Sequence, residues 1–299
     1  MGNNQGQLKE VDITLIDNFK NHPFHVNNDD SLQELAKSIK DNGLLNPLVV
    51  RPKENGRYEL ISGHRRKLAM DLLEFKKVNV LVKELSDEKA IIEMVDSNMY
   101  RDKVLPSEKA FAYKMKSDAM KHQGKKLKTL DNGCPKSTTE EIGSKYGDSG
   151  STVKNYIRLT YLIPELLQLV DDTVLKDKRT ALTMGIKPAV ELSYLTKEEQ
   201  KLVYTEITYD DLTPSHSQAK QIRELSKEKK LNLDVIESIL GQQKGNQKDQ
   251  ISFNKDRIEK ALPSELLKRD KRYIEQYIIK AIENYRSKEL ERGDAYDLM

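Results

Sequence analysis

The segment Ile61-Ser62-Gly63-His64-Arg65-Arg66-Lys67-Leu68-Ala69 sets a glycine and a histidine ahead of three consecutive basic residues. A glycine between strand and helix lets the backbone approach a ligand, and a helix start already presents unpaired N–H groups and a positive dipole end. Read sharply, this is a phosphate site; read plainly, it is a tight turn with a solvated basic face. A second cluster, Asp96-Ser97-Asn98-Met99-Tyr100-Arg101, closes an apolar helix. Asn98 is there a candidate metal or phosphate ligand and Arg101 a candidate phosphate clamp, the alternative being a helix end that dissolves into a turn. The third cluster runs from Thr138 to Tyr161. A short capped helix meets a Gly147-Asp148-Ser149 turn and a second helix whose Val153, Ile157 and Tyr156 face inward. That spacing fits a helix-turn-helix, in which the second helix lies in the major groove of DNA with its first side chains on base edges. Ser149, Ser151, Thr152, Lys154, Asn155 and Arg158 are the candidate DNA contacts, with an ordinary helical hairpin as the alternative.

The elements that must hold these clusters follow from periodicity. Leu32, Leu35, Ala36 and Ile39 recur at helical spacing, and Ser31 with Glu34 makes a capping box, which predicts a helix over 31–41 stopped by Asn42-Gly43. Leu48 to Val50, Arg57 to Ile61 and Val78 to Val82 are short β-rich runs, with a helix over 65–74 between the last two. After Leu85 the strands stop. Helices are expected after Ser86, from Pro106 to about His122, and repeatedly to Leu240, with Thr196 and Glu199 as another capping box. Gly124 to Ser137 has the composition of a loop. Ile274, Tyr277, Ile278, Ala281, Ile282 and Tyr285 form an amphipathic stripe, which needs a partner: a neighbouring segment at Arg257 to Leu262 or a second copy of the chain.

These pieces define an α+β chain: a flexible tail over 1–10, a small mixed α/β domain over 11–100, an all-α domain over 101–240, a linker over 241–251 and a C-terminal helical segment over 252–299. With 299 residues, 37% hydrophobic and 33% charged, the chain has material for several small cores. A lone Cys134 excludes an intrachain disulfide, and five scattered histidines show no zinc spacing. With no apolar run long enough for a membrane helix and a polar start, a cytoplasmic chain is expected. Net charge is only +3, but residues 101–160 hold 13 Lys and Arg against seven Asp and Glu, which places the basic surface in the middle of the chain. A solvated helical face accounts for that surplus equally well.

Taken in order, the motifs resemble the ParB family of chromosome and plasmid partition proteins, particularly the versions on mobile elements of Gram-positive bacteria. Gly43-Leu44-Leu45-Asn46-Pro47 is similar to the family's Gly-x-x-x-Pro segment. Gly63-His64-Arg65-Arg66-Lys67-Leu68-Ala69 is similar to its G-E-R-R-x-R-A, and Ser97-Asn98-Met99-Tyr100-Arg101 to its E-N-x-x-R. The helix-turn-helix follows at about Thr138 to Leu159, and the likeness covers about residues 11 to 240. It implies a ParB-like nucleotide-binding domain, a DNA-binding domain and a dimerising tail. The implied activity is a CTP-gated dimeric clamp on double-stranded DNA, loaded at a palindromic centromere-like site and served by a ParA-type ATPase. The implied location is the nucleoid or a plasmid. By the same likeness Gly63, Arg65 and Arg66 cradle the triphosphate, with His64 and Ser97 at the neighbouring motif positions. Asn98 helps to hold Mg²⁺, Arg101 supports the phosphates, and Asn46 with Pro47 lies by the base.

The departures bear on chemistry. His64 and Ser97 stand where the family has glutamates, and Leu68 where it has a third arginine. Mg²⁺ favours carboxylate and phosphate oxygens, so nucleotide binding is expected with slow or absent hydrolysis, at most a weak CTPase. A transcriptional or nucleoid-occlusion regulator on the same framework is the alternative. Met1 to Glu10 lacks the amphipathic anchor of a membrane-bound occlusion factor, which favours partition. A nuclease or phosphotransferase would ask for clustered carboxylates that the motifs do not offer.

Overall fold

The computed structural model describes residues 6–101, 103–122, 137–175, 182–242, 262, 263, 265, 266 and 271–292. The expected loop before Ser137 and the expected linker after Gln242 lie outside the described residues. Residues up to Gln242 form one compact unit and those from Gln243 a second.

The sheet of the first unit has the order β1-β5-β3-β4-β2. Its strands are β1 (Gln7–Asp12), β2 (Ile16–Asp17), β3 (Leu48–Pro52), β4 (Tyr58–Ser62) and β5 (Lys77–Val82). β1 runs antiparallel to β5, β3 parallel to β5 and antiparallel to β4, and β2 parallel to β4. The expected tail over 1–10 is therefore corrected for residues 7–10. Gln7 pairs with Val82 and Glu10 with Asn79, while every side chain of β1 except Val11 is exposed. Backbone hydrogen bonds hold this edge strand with little burial, so no apolar alternation announces it.

Both faces of the sheet are covered. Leu48, Val50, Leu60, Val78 and Val80 pack with Leu32, Ala36 and Ile39 of α1 (Asp30–Asn42) and Ala69 and Met70 of α2 (His64–Leu72). Each fully buried leucine in this layer contributes roughly 1.5–3 kcal/mol. The start of α1 differs from the capping-box expectation: Asp29 is the cap and accepts from Leu32 N at 2.9 Å. Ser31 Oγ donates to Asp29 Oδ1, because an aspartate just outside the helix reaches the free N–H groups better than a serine within it.

On the other face Ile61 meets Ala90, Met94 and Val95 of α3 (Asp87–Asn98) and Ala112, Tyr113 and Met120 of α4 (Pro106–His122). The same core takes in Ile142 of α5 (Thr138–Tyr146) and Val153 of α6 (Gly150–Leu159). The division expected near residue 100 is a change of element type within continuous packing. A further helical core joins Leu159 to α7 (Pro164–Leu175), α8 (Ile186–Leu192), α9 (Lys197–Asp210), α10 (His216–Lys227) and α11 (Leu233–Leu240). In the second unit α12 (Lys271–Arg292) presents Tyr277, Ile278, Ala281, Ile282 and Tyr285 along an open groove of about 500 Å³, with Leu262 and Pro263 beside them. Among the described residues no helix is long and apolar enough to cross a membrane.

Candidate functional site

One residue, Gly63, separates β4 from α2. It takes φ 106°, and a Cβ there would lie 2.6 Å from Leu48 Cδ2, so both backbone and space require glycine. Lys67 N donates to Gly63 O at 2.8 Å, and the N–H groups ahead of it in the first turn have no intrahelical acceptor. A cleft of about 700 Å³ opens beside this corner. Asp29 and Ser31 line it from the start of α1, Arg65 from α2, Arg101 and Lys103 from the α3–α4 connection, and Glu108 from α4. Two helix starts and three cations thus meet around one space, which suits an oxyanion.

The expected residues divide. Arg65 Nη2 donates to Ser31 Oγ at 2.5 Å and lies 3.6 Å from Asp29 Oδ1, which ties the two helix starts together at the cleft wall. Arg66 turns the other way: its Nη1 donates to Asn46 O at 2.5 Å and Pro47 O at 3.0 Å. Arg66 here clamps the 43–47 turn, with Asn46 and Pro47 held through it. Arg101 lines the cleft, half-buried, its guanidinium 5.4 Å from the Phe24 ring centre. His64 is buried against His22, a residue that sequence reasoning missed. His25, Asp29, Ser31, Lys103 and Glu108 were missed as well. They belong to loops and to the first turns of α1 and α4, far apart in sequence, and only the clustering of polar residues at 25–31 hinted at them.

Mg²⁺ prefers carboxylate oxygens. Ser97 Oγ donates to Met94 O at 2.9 Å, and Asn98, 4% exposed, donates its Nδ2 to Met94 O at 2.8 Å and to Ser97 Oγ at 3.2 Å. Glu108 accepts from His25 N at 2.6 Å and Leu105 N at 3.0 Å. No group of three or more His, Cys, Asp or Glu that could hold a metal ion occurs among the described residues. Among the described residues no carboxylate cluster builds a Mg²⁺ site, and the Nδ2 of Asn98 locks the end of α3.

Two residues before Asn98, Asp96 reaches the other way. Its carboxylate accepts from Lys116 Nζ of α4 and from Lys145 Nζ and Tyr146 OH of α5. Burial alone would raise its pKa, but hydrogen bonds from Lys116, Lys145 and Tyr146 outweigh that and leave it lowered. Tyr113 OH donates to Asp148, and Lys109 Nζ lies 2.7 Å from the same carboxylate. The end of α3 thus contributes both a cleft neighbour and the anchor of α5.

α5 starts on a capping box of Ser137 and Glu140 and ends at Gly147 with φ 78°. A Cβ at Gly143 would lie 2.3 Å from Asp148 O, so the turn closes tightly on the helix. Ser149 caps α6 and accepts from Thr152 N at 3.0 Å, its Oγ 2.8 Å from both Ser151 Oγ and Thr152 Oγ1. Ser151, Lys154 and Asn155 face solvent. Arg158 does not: Nε donates to Ser193 Oγ at 2.9 Å and Nη2 to Ser193 O at 2.7 Å, with Tyr194 and Tyr161 ring centres 3.8 and 4.5 Å from the guanidinium carbon. Arg158 thus ties α6 to the end of α8 and also lines the groove that holds Lys154. Lys114, Lys121 and Lys154 line a groove of about 450 Å³ between α4 and α6.

The family described as the ParB N-terminal domain matches residues 2–99 of the chain. Over a longer stretch, the chromosome-partitioning protein Spo0J of Thermus thermophilus is 36% identical across 143 residues, 48% of this chain and 47% of that protein. The chain therefore spans about half the length of this relative. The nucleoid occlusion protein of Bacillus thuringiensis is 27% identical across 230 residues, 77% of this chain and 74% of that protein. Among solved structures, the C-terminally truncated chromosome-partitioning protein ParB from Caulobacter crescentus, complexed to the centromeric parS site, is 22% identical, with 74% of this chain and 99% of that chain covered and a TM-score of 0.40.

Proposed function

We propose that the protein is a sequence-specific binder of double-stranded DNA in partition, with a nucleotide cleft, selective for CTP, that controls the DNA-bound state. The observation that carries this reading is the joint anchoring at the end of α3: Arg101 lines the cationic cleft while Asp96 holds α5 of the helix pair. α6 then offers Ser151, Lys154 and Asn155 to a major groove, and Lys114 and Lys121 offer charge to phosphates. The matched relatives, a partition protein and a nucleoid occlusion protein, support the DNA role. The longer match to the occlusion protein favours a second reading, occlusion, which a genome-wide binding profile separates: one centromere-like cluster for partition, dispersed sites for occlusion.

The nucleotide is held by Arg65, Arg101, Lys103 and the first-turn N–H groups of α2, and hydrolysis is slow because both cleft carboxylates are already engaged, Asp29 by Ser31 and Leu32 N and Glu108 by His25 N and Leu105 N. α12 pairs with a second copy through its apolar stripe, and the ATPase partner expected of a partition system completes the assembly. Calorimetry with CTP, ATP and GTP, with and without a selected palindromic DNA, tests the reading. Selective CTP binding strengthened by one DNA sequence is the expected result, with little loss when EDTA replaces Mg²⁺. Absence of binding by every nucleotide overturns the nucleotide half and leaves the DNA half standing.

A further inference from the structure

His64 opens α2 and is 7% exposed, and the ring of His22 lies on it with centroids 3.7 Å apart and planes tilted by 32°. Both nitrogens of His64 and Nε2 of His22 are buried without a hydrogen-bond partner among the described residues. His22 Nδ1 is 2.8 Å from Phe24 O, and since a carbonyl only accepts, Nδ1 carries the proton and Nε2 presents its lone pair. Phe24 packs edge-on to His22 at 5.6 Å and Arg101 lies over Phe24, so a continuous stack leads from the cleft wall to the start of α2. The charged and titratable groups acting on the pair are Arg101 on both rings, Lys67 on His64 and His25 on His22. Arg65 stands next in sequence to His64, and Glu108 acts on Arg101 from α4. Burial first holds His22 down at about 4, against the bond to Phe24 O and with Arg101 adding to it, and burial, His22, Arg101 and Lys67 hold His64 at about 3, so both are neutral at pH 7.

We propose that the His22–His64 pair is the proton-taking element of the cleft: binding of a polyphosphate beside Arg65 and Arg101 is accompanied by uptake of one proton into the pair. His22 is a positioning residue that acts through His64. The inference rests on the nucleotide reading and deepens it by naming what regulates the site. A polyphosphate offsets the cationic field that adds to burial in keeping the rings neutral, and an imidazolium behind the cleft wall then balances part of the anion's charge. Only one proton enters, since two imidazolium rings this close repel. The sign follows from linkage: the proton is absent from the free site and present in the bound one. Affinity therefore rises as pH falls from 8 to 6, by at most about tenfold per pH unit.

Nitrogen-15 NMR of the histidine rings in the full chain, across pH 5 to 8, with and without saturating CTP or inorganic tripolyphosphate, tests this directly. Expected are free rings that stay neutral throughout and, with either ligand, one ring of the pair that titrates near or above about pH 6. Calorimetry in two buffers of different ionisation heat should show proton uptake by the wild type that His22→Phe and His64→Gln both reduce. The terminal phosphate of the ligand, with its own pKa of about 6, titrates alike for all three proteins, so the comparison isolates the pair. Should a variant fail to fold, the wild-type ring signals decide alone. Ligand binding with unchanged rings and no difference in uptake would overturn the proposal while leaving the nucleotide site intact. Failure of both ligands to bind from pH 6 to 8 would overturn the nucleotide reading and this proposal with it.

Discussion

Arg158 and Lys154 stand one helical turn apart on α6 and are equally polar in the sequence, yet they do opposite work. The guanidinium of Arg158 is fixed by Ser193 and by the Tyr161 and Tyr194 rings, whereas Lys154 is exposed. Replacing Arg158 with Ala should lower stability by about 1–3 kcal/mol in urea denaturation and leave base preference unchanged in a binding selection. Replacing Lys154 should leave stability alone and reduce the slope of log affinity against log salt by about one. The sequence offered the type and the helical face of Arg158; its partner lies 35 residues further on, and residue types alone do not announce a contact of that range. Gly63 was legible for the opposite reason. Its role is local, set by a left-handed corner with no room for a Cβ. Gly63→Ala should cost about 1–3 kcal/mol in the same assay.

At the scale of elements, local signals located helices well and their attachments poorly. The Pro106 start of α4 and the Thr196–Glu199 box of α9 are visible in sequence because their donors and acceptors lie within one turn. The clamp of α3 on α5 is not, since Asp96, Lys116, Lys145 and Tyr146 come from three helices. Asp96→Asn would leave the buried ammonium of Lys116 without its counter-ion, and a loss of about 3 kcal/mol is expected by thermal or chemical unfolding. The pH dependence has a definite sign. Asp96 has a folded pKa below its ordinary 3.8, so its contribution is full above that value and disappears as pH falls through the lower one. The stability difference between wild type and Asp96→Asn should therefore shrink in acid below about pH 4. A difference between the two proteins that grows as pH falls below about 4 would exclude the carboxylate as its source.

For the whole molecule, the two units set different expectations. The one ending at Gln242 has its own cores, and α12 carries its stripe in the other. A chain ended at Gln242 should keep its melting temperature within about 2 °C, since its cores are complete, while light scattering should show the mass fall from dimer to monomer. An unchanged mass would remove α12 as the pairing element. The broad plan of a mixed α/β part followed by helices was legible because periodicity changes sharply after Leu85. The sharing of one core by the sheet and the helix pair was hidden, because α4 buries Ala112 and Tyr113 beside Ala110, and no single stripe reveals which neighbour takes which residue.

The pairing of β1 with β5 also dictates an order of events on the ribosome. Gln7 cannot meet Val82 until the strand that contains it has left the exit tunnel, so the first strand made waits through the synthesis of all the others. The main contacts among α7 to α11 span at most two elements, so these helices can collapse as they emerge. The unpaired β1 is the interval's exposed edge, and its Lys9 and Glu10 put charge on a strand that would otherwise recruit a nascent neighbour.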